Sequence, residues 1–186
     1  MTSDTASQIA YLARALKAPA LRDSAERLAA TAREAGWTHQ EYLAACLEAE
    51  VATRGAHGAE NRIRAAGFAA RKTIEDFDFD HQRSVKRDQI LHLATLDFIT
   101  ARTNIVLLGP PGTGKTMLAT GLGIRACQAG HRVLFATAAA WTDRLTAAHR
   151  AGRIQQEITR LGRYPLLVID LSGVPQPPSV TSANVT

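Results

Sequence analysis

The residues best suited to chemistry lie together from Gly109 to Thr116, which read GPPGTGKT. The pattern G-x-x-x-x-G-K-[ST] is met at every specified position. A tight loop running into a helix N-terminus turns a row of backbone N–H groups toward a polyanion. Gly112 and Gly114 let that backbone approach closely and take dihedrals a Cβ would forbid. Lys115 adds a point charge for the β and γ phosphates, and the Thr116 hydroxyl is placed to ligate Mg²⁺. Gly109, Pro110, Pro111, Gly112, Thr113, Gly114, Lys115 and Thr116 are therefore expected to hold the phosphates of a nucleotide. A site of this kind also needs an apolar strand ending in an aspartate near the metal, and Leu166-Leu167-Val168-Ile169-Asp170 supplies it. Thr116 and Asp170 are the expected metal residues. ATPases of this class usually follow that aspartate with a glutamate that polarises the attacking water. Here the position is Leu171, which accepts no proton and orients no water, so no catalytic residue is assigned.

Several elements must position these groups. Asn104 to Leu108 is a short apolar run bounded by turn signals and reads as a buried strand; Met117 to Ala129 reads as a helix. Strand, glycine loop and helix imply an α/β fold with the parallel sheet of a P-loop NTPase. Upstream, residues 8–66 carry an almost continuous helical pattern: Ile9, Leu12 and Leu16, then Leu21 and Leu28, then Tyr42, Leu43, Leu47 and Val51. Pro19 suits a helix start, Gly36 a helix end, and Thr38 with Glu41 makes a capping box for the third helix. The expected organisation is a small all-α module over 1–68, a linker and helix over 69–103, a nucleotide-binding part over 104–170, and a tail over 171–186. The tail has no charged residue, carries Pro175, Pro177 and Pro178, and offers Ser179 to Val185 as a short strand. Between module and loop, Arg71-Lys72-Thr73-Ile74-Glu75-Asp76-Phe77-Asp78-Phe79-Asp80 reads either as an isolated strand with both phenylalanines on one face or as a linker laying an aromatic ring beside an adenine.

The net charge of +5 is concentrated. Between Arg125 and Arg163, seven arginines (Arg125, Arg132, Arg144, Arg150, Arg153, Arg160, Arg163) face only Asp143 and Glu157, and His149 lies among them as a surface residue. The planar guanidinium fork suits phosphate oxygens, so the stretch is a candidate surface for a DNA backbone; equally, the arginines could solvate the outer faces of two helices. Cys46 and Cys127 sit in helical patterns without metal-like spacing. No apolar run reaches the roughly 18 residues of a membrane span and no secretory leader opens the chain, so a cytoplasmic protein without membrane contact is expected.

The segment from Lys17 to Glu50, the linker RKTIEDFDFD, the block LLGPPGTGKTMLATGLGIRACQAGHRVLF and the strand YPLLVID resemble the IstB family of insertion-sequence ATP-binding proteins. That family belongs to the AAA+ superfamily and is similar to the DnaC helicase loaders. The resemblance covers about Ala10 to Asp170. It implies ATP and Mg²⁺ as cofactors, a homo-oligomer assembled on double-stranded DNA, and a partner transposase to which a target site is presented. It also brings the linker near the adenine, making Phe77 and Phe79 base-edge residues. Family members continue through a sensor strand, an arginine finger and a lid. The chain is expected to lack these, and Val180 to Asn184 resembles the sensor strand only faintly, as a coincidence. Without that strand, residues 105–108 should lose a hydrogen-bonding neighbour, at about 1–3 kcal/mol for each buried group left unpaired.

Three functions are consistent with these residues. One is a transposition helper that binds ATP and DNA, with a DnaC-like helicase loader as its variant. Another is a truncated remnant of such a helper, with ATP hydrolysis lost. The third is a P-loop kinase, for which no acceptor-binding residues are recognisable.

Overall fold

The computed structural model describes residues 3–171. The tail strand expected over Ser179–Val185 and the sensor-like Val180–Asn184 lie outside the described residues. The chain forms two compact units, Met1–Gly58 and Ala59–Thr186.

The first unit holds α1 (Ser3–Ala15), α2 (Pro19–Ala35) and the larger part of α3 (His39–Ala66). Local chemistry sets its boundaries. Pro19 opens α2, where a missing N–H costs nothing, and Gly36 closes it in the left-handed region at φ 68°. Thr38 and Glu41 form the capping box: Glu41 Oε2 accepts the Thr38 N–H at 2.7 Å, and Thr38 Oγ1 accepts the Glu41 N–H at 3.3 Å. The buried Glu50 carboxylate pins the unit together, accepting the Leu21 N–H at 3.1 Å and pairing with Arg54 Nε at 2.7 Å. Arg54 in turn donates to the Leu16 and Lys17 carbonyls that end α1. Leu12, Leu16, Leu43, Leu47 and Val51, the apolar residues that mark the helical period, are exposed.

The second unit holds the rest: α4 (Arg87–Leu93), α5 (Asp97–Thr100), α6 (Lys115–Gln128), β1 (Val133–Thr137), α7 (Ala138–Arg150), α8 (Ile154–Leu161) and β2 (Leu166–Asp170). β1 and β2 pair in parallel, from Val133 opposite Leu166 to Thr137 opposite Asp170. A parallel pair needs a crossover, and α7 and α8 provide it. One core cluster joins Ile124 and Cys127 of α6 to Val133, Phe135 and Val168 of the sheet; Ile63 and Ala66, in the last two turns of α3, complete it. Those turns share the helical period of the first unit but belong by packing to the second. The other cluster joins Leu118 and Leu122 of α6 to Ile74, Phe77 and Ile90. The fold is thus α/β of P-loop NTPase type: a small parallel sheet, a glycine loop entering a helix, and a helical region ahead of them.

One local expectation fails, and one of the two readings of the linker is excluded. Residues 104–108 pair with no strand among the described residues, and Val106 and Leu108 are 61% and 54% exposed. An exposed segment can satisfy its amides with water, so the penalty reserved for buried unpaired groups does not apply in full. The linker forms turns rather than a strand. Asp76 Oδ2 accepts from the N–H and hydroxyl of Thr73 at 2.8 and 3.2 Å, and Asp78 Oδ1 accepts the N–H groups of Asp80 and His81 at 3.0 and 2.9 Å. Short Asp side chains compete with a ladder for backbone donors, and here they win.

Candidate nucleotide site

The loop from Gly109 to Gly114 is folded on its own polar groups. Lys115 Nζ reaches back to donate to the Gly109 and Pro110 carbonyls, both at 2.7 Å, and the Thr113 hydroxyl donates to Pro110 O at 2.9 Å. Gly114 stands at the N-cap of α6 in the left-handed conformation, φ 79° and ψ 13°, and Gly112 has φ 80°. Two left-handed residues within three positions bend the chain tightly enough for Lys115 to begin the helix, so the free N–H groups of the first turn of α6 lie beside the lysine.

Thr116, one residue further, donates through Oγ1 to Asp170 Oδ1 at 3.1 Å across 54 residues of sequence. The fold therefore brings the loop's hydroxyl and the β2 carboxylate together. Two hard oxygen donors side by side, next to a phosphate cradle, are the protein's share of a Mg²⁺ site, because Mg²⁺ keeps several waters and takes its remaining ligands from phosphate. Among the described residues no cluster of three or more His, Cys, Asp or Glu could hold a metal by itself. Leu171 follows Asp170 and is 61% exposed.

The linker rings sit apart from one another in role. Phe77 is 8% exposed and belongs to the core cluster under the loop, whereas Phe79 is half-buried, edge-on to Phe77 at 4.8 Å with the Arg87 guanidinium 5.8 Å from its centroid. Both line an open cleft of about 480 Å³ with Glu75, Asp78, Arg83 and Arg87.

Sequence reasoning missed how the linker is seated. A Cβ on Gly121 of α6 would stand 2.9 Å from both the backbone nitrogen and Cγ1 of Ile74, and one on Gly114 would overlap Phe77 Cε2. The available signal was a glycine in mid-helix, which usually has a packing reason.

The arginine-rich stretch divides by partner. Arg144 and Arg160 both pair with Glu157, Arg144 also lies over the Trp141 ring, and Arg132 stacks at 4.8 Å from the Tyr164 centroid. Arg150, Arg153 and Arg163 are exposed and form no ion pair among the described residues.

A glycine loop entering α6 and a parallel strand ending at Asp170 define the chain as a P-loop protein of the α/β class. The family described as IstB-like ATP binding protein matches residues 11–184, and the chain belongs to that family. The match runs past Asp170, where the motifs end the resemblance, and takes in Val180–Asn184. Among its relatives is a protein of Pseudomonas aeruginosa named as the ATP-binding protein of insertion sequence IS21, 35% identical over 85% of this chain and 60% of that one. A Geobacillus stearothermophilus protein named for insertion sequence IS5376 and ATP binding is 36% identical over 80% of this chain and 61% of its own. A third, an insertion-sequence ATP-binding protein by name from Sinorhizobium fredii, is 32% identical over 83% and 52%. The chain spans between 52% and 61% of the length of these three relatives. Among the described residues no helix is long and apolar enough to cross a membrane.

Proposed function

We propose that this chain binds ATP with Mg²⁺ in the cytoplasm and, so loaded, assembles with further copies on double-stranded DNA to assist a transposase. The observation that carries the nucleotide reading is the junction of loop and α6, where Lys115 and Thr116 stand together and Thr116 meets Asp170 at 3.1 Å. Gly109 to Lys115 hold the phosphates, Thr116 and Asp170 the metal, and Phe79, the less buried linker ring, the edge of the base. Leu171 supplies no base, so nucleotide occupancy rather than rapid hydrolysis is the working signal. Insertion-sequence relatives named for ATP binding support the role in transposition. The exposed Arg150, Arg153 and Arg163 support contact with DNA phosphates.

Equilibrium binding of a fluorescent ATP analogue with Mg²⁺ tests the first part. Lys115→Ala should weaken it roughly ten- to a hundredfold, the worth of charge-assisted hydrogen bonds. Unchanged binding in that variant would sink the nucleotide reading. For the DNA part, the slope of log affinity against log salt should become shallower by roughly one for each of Arg150 and Arg153 replaced by alanine. An unaltered slope would remove this face from the interface.

A further inference from the structure

Gly114 is constrained twice over. Its φ of 79° is a region L side chains avoid, and the space where a Cβ would stand is filled by the edge of the Phe77 ring. The ring is itself fixed. It packs with Ile74, Ile90, Leu118 and Leu122, the Phe77 backbone N–H donates to Ile74 O at 3.1 Å, and the Thr73–Asp76 hydrogen bonds close the turn that carries it. Ile74, three residues earlier, lies on Gly121 two turns along α6. The linker therefore lies along the first half of α6, touching it at Gly121 and at the N-cap, with its aromatic end beneath the residue whose turn aims the loop's N–H groups. A ring only 8% exposed offers little surface to a purine.

We propose that Phe77 is a positioning residue for phosphate: it holds the left-handed turn at Gly114 and so sets affinity for the polyphosphate chain, without touching the base. This rests on the nucleotide reading above and specifies which part of the ligand the ring serves. Interior packing has little slack, so a gap under Gly114 is felt as a displaced loop. The exposed Asp76 acts through the same ring by closing the turn that carries it.

The test is calorimetric titration of the full chain with Mg²⁺–ATP and, separately, with Mg²⁺–tripolyphosphate, which has the anionic chain and no base. Phe77→Leu keeps an apolar core but withdraws the ring edge. It should weaken both ligands by the same factor, about tenfold. Loss of ATP affinity with tripolyphosphate unchanged would overturn the proposal, because the ring would then be reading adenine. No loss for either ligand would overturn it too. Asp76→Ala, at an exposed site that leaves the core intact, gives the same test should Phe77→Leu fail to fold: a smaller, about threefold, and again equal loss is expected. Unequal or absent loss there counts against the proposal in the same way. A wild-type chain that binds neither ligand overturns the nucleotide reading and this proposal with it. Undiminished binding in Lys115→Ala overturns the nucleotide reading and this proposal with it, whereas unequal or absent loss in Phe77→Leu, with Lys115→Ala weakened, overturns this proposal alone.

Discussion

The two flanks of the glycine loop are built differently. On the helix side, α6 is packed along most of its length: Leu118, Leu122, Ile124 and Cys127 are buried, and the linker lies against it at Gly114 and Gly121. On the strand side, residues 104–108 have no ladder partner among the described residues, with Val106 and Leu108 more than half exposed, and on β2 Ile169 is 58% exposed. A P-loop is usually pictured as hanging from its strand. In the described residues of this chain most of the contacts that fix it come from the helix and the linker, and the strand side adds Leu107, half-buried against the same cluster.

The difference becomes measurable when one side is damaged at a time. The largest effect should come from Phe135→Ala. This ring is 6% exposed, lies 5.7 Å from Phe68, and shares a core with Ile124 and Cys127 of α6. Truncating a buried phenylalanine costs about 3–5 kcal/mol, so denaturant melts should show a much lower midpoint, with nucleotide affinity failing alongside. A near-normal midpoint would mean that the packed side does not carry the stability assigned to it.

Next comes Gly121→Ala, which adds one methyl group where Ile74 N and Cγ1 and the Thr73 carbonyl carbon stand at 2.9, 2.9 and 3.1 Å. Two of those three atoms are backbone and cannot swing aside. Alanine is intrinsically better than glycine in a helix by about 1 kcal/mol, yet overpacking of about 1–3 kcal/mol should outweigh it here. A stabilised variant would show that the linker does not grip α6 at this point.

A smaller effect is expected from pH. The backbone N–H of Thr73, with its hydroxyl, holds the Asp76 carboxyl below the usual carboxylate range. A carboxylate depressed in the folded state contributes stability that is fully present above its ordinary pKa of about 3.9 and is lost as pH falls through the folded value. Asp76→Asn should therefore lower the plateau of the stability profile slightly near neutrality and flatten its acid limb below about pH 4, where the two chains converge. An acid limb that matches the wild type would take Asp76 out of the clasp.

Which of these features were legible in the sequence follows from how local they are. The loop, the α6 start, the Thr38–Glu41 box, Pro19 and Gly36 depend on residues within a turn of one another, and the sequence spells them out. Asp170 was legible because a phosphate loop calls for an apolar strand that ends in a carboxylate, and the run Leu166–Asp170 has that form. The burial of residues 104–108 was misread because burial belongs to the neighbours of a segment, not to the segment. The same holds for Leu12, Leu16, Leu43, Leu47 and Val51, whose spacing identifies a helix face but not what covers it. β1 passed without notice although the run Val133-Leu134-Phe135-Ala136 begins three residues after Gly130, the kind of residue that bounds a strand. The seating of Phe77 was hidden for a subtler reason. Gly114 already has a reason to be glycine in its dihedral, so nothing in the sequence marks the second reason, the ring beneath it.

The smallest effect is the most telling for the strand side. Val106→Ser and Leu108→Ser replace apolar side chains that sit 61% and 54% exposed, so little apolar area returns to water on folding and little is lost on substitution. Each change should stay within about 0.5 kcal/mol, the range of ordinary surface substitutions, and shift the melting midpoint by less than about 2 °C. Removing exposed apolar groups should also lower any tendency to self-associate, read by light scattering at rising protein concentration. A destabilisation of 2 kcal/mol or more, the scale of a lost core side chain, would mean that these residues are covered in solution. The strand side would then be as firmly packed as the helix side, and the loop would hang from both.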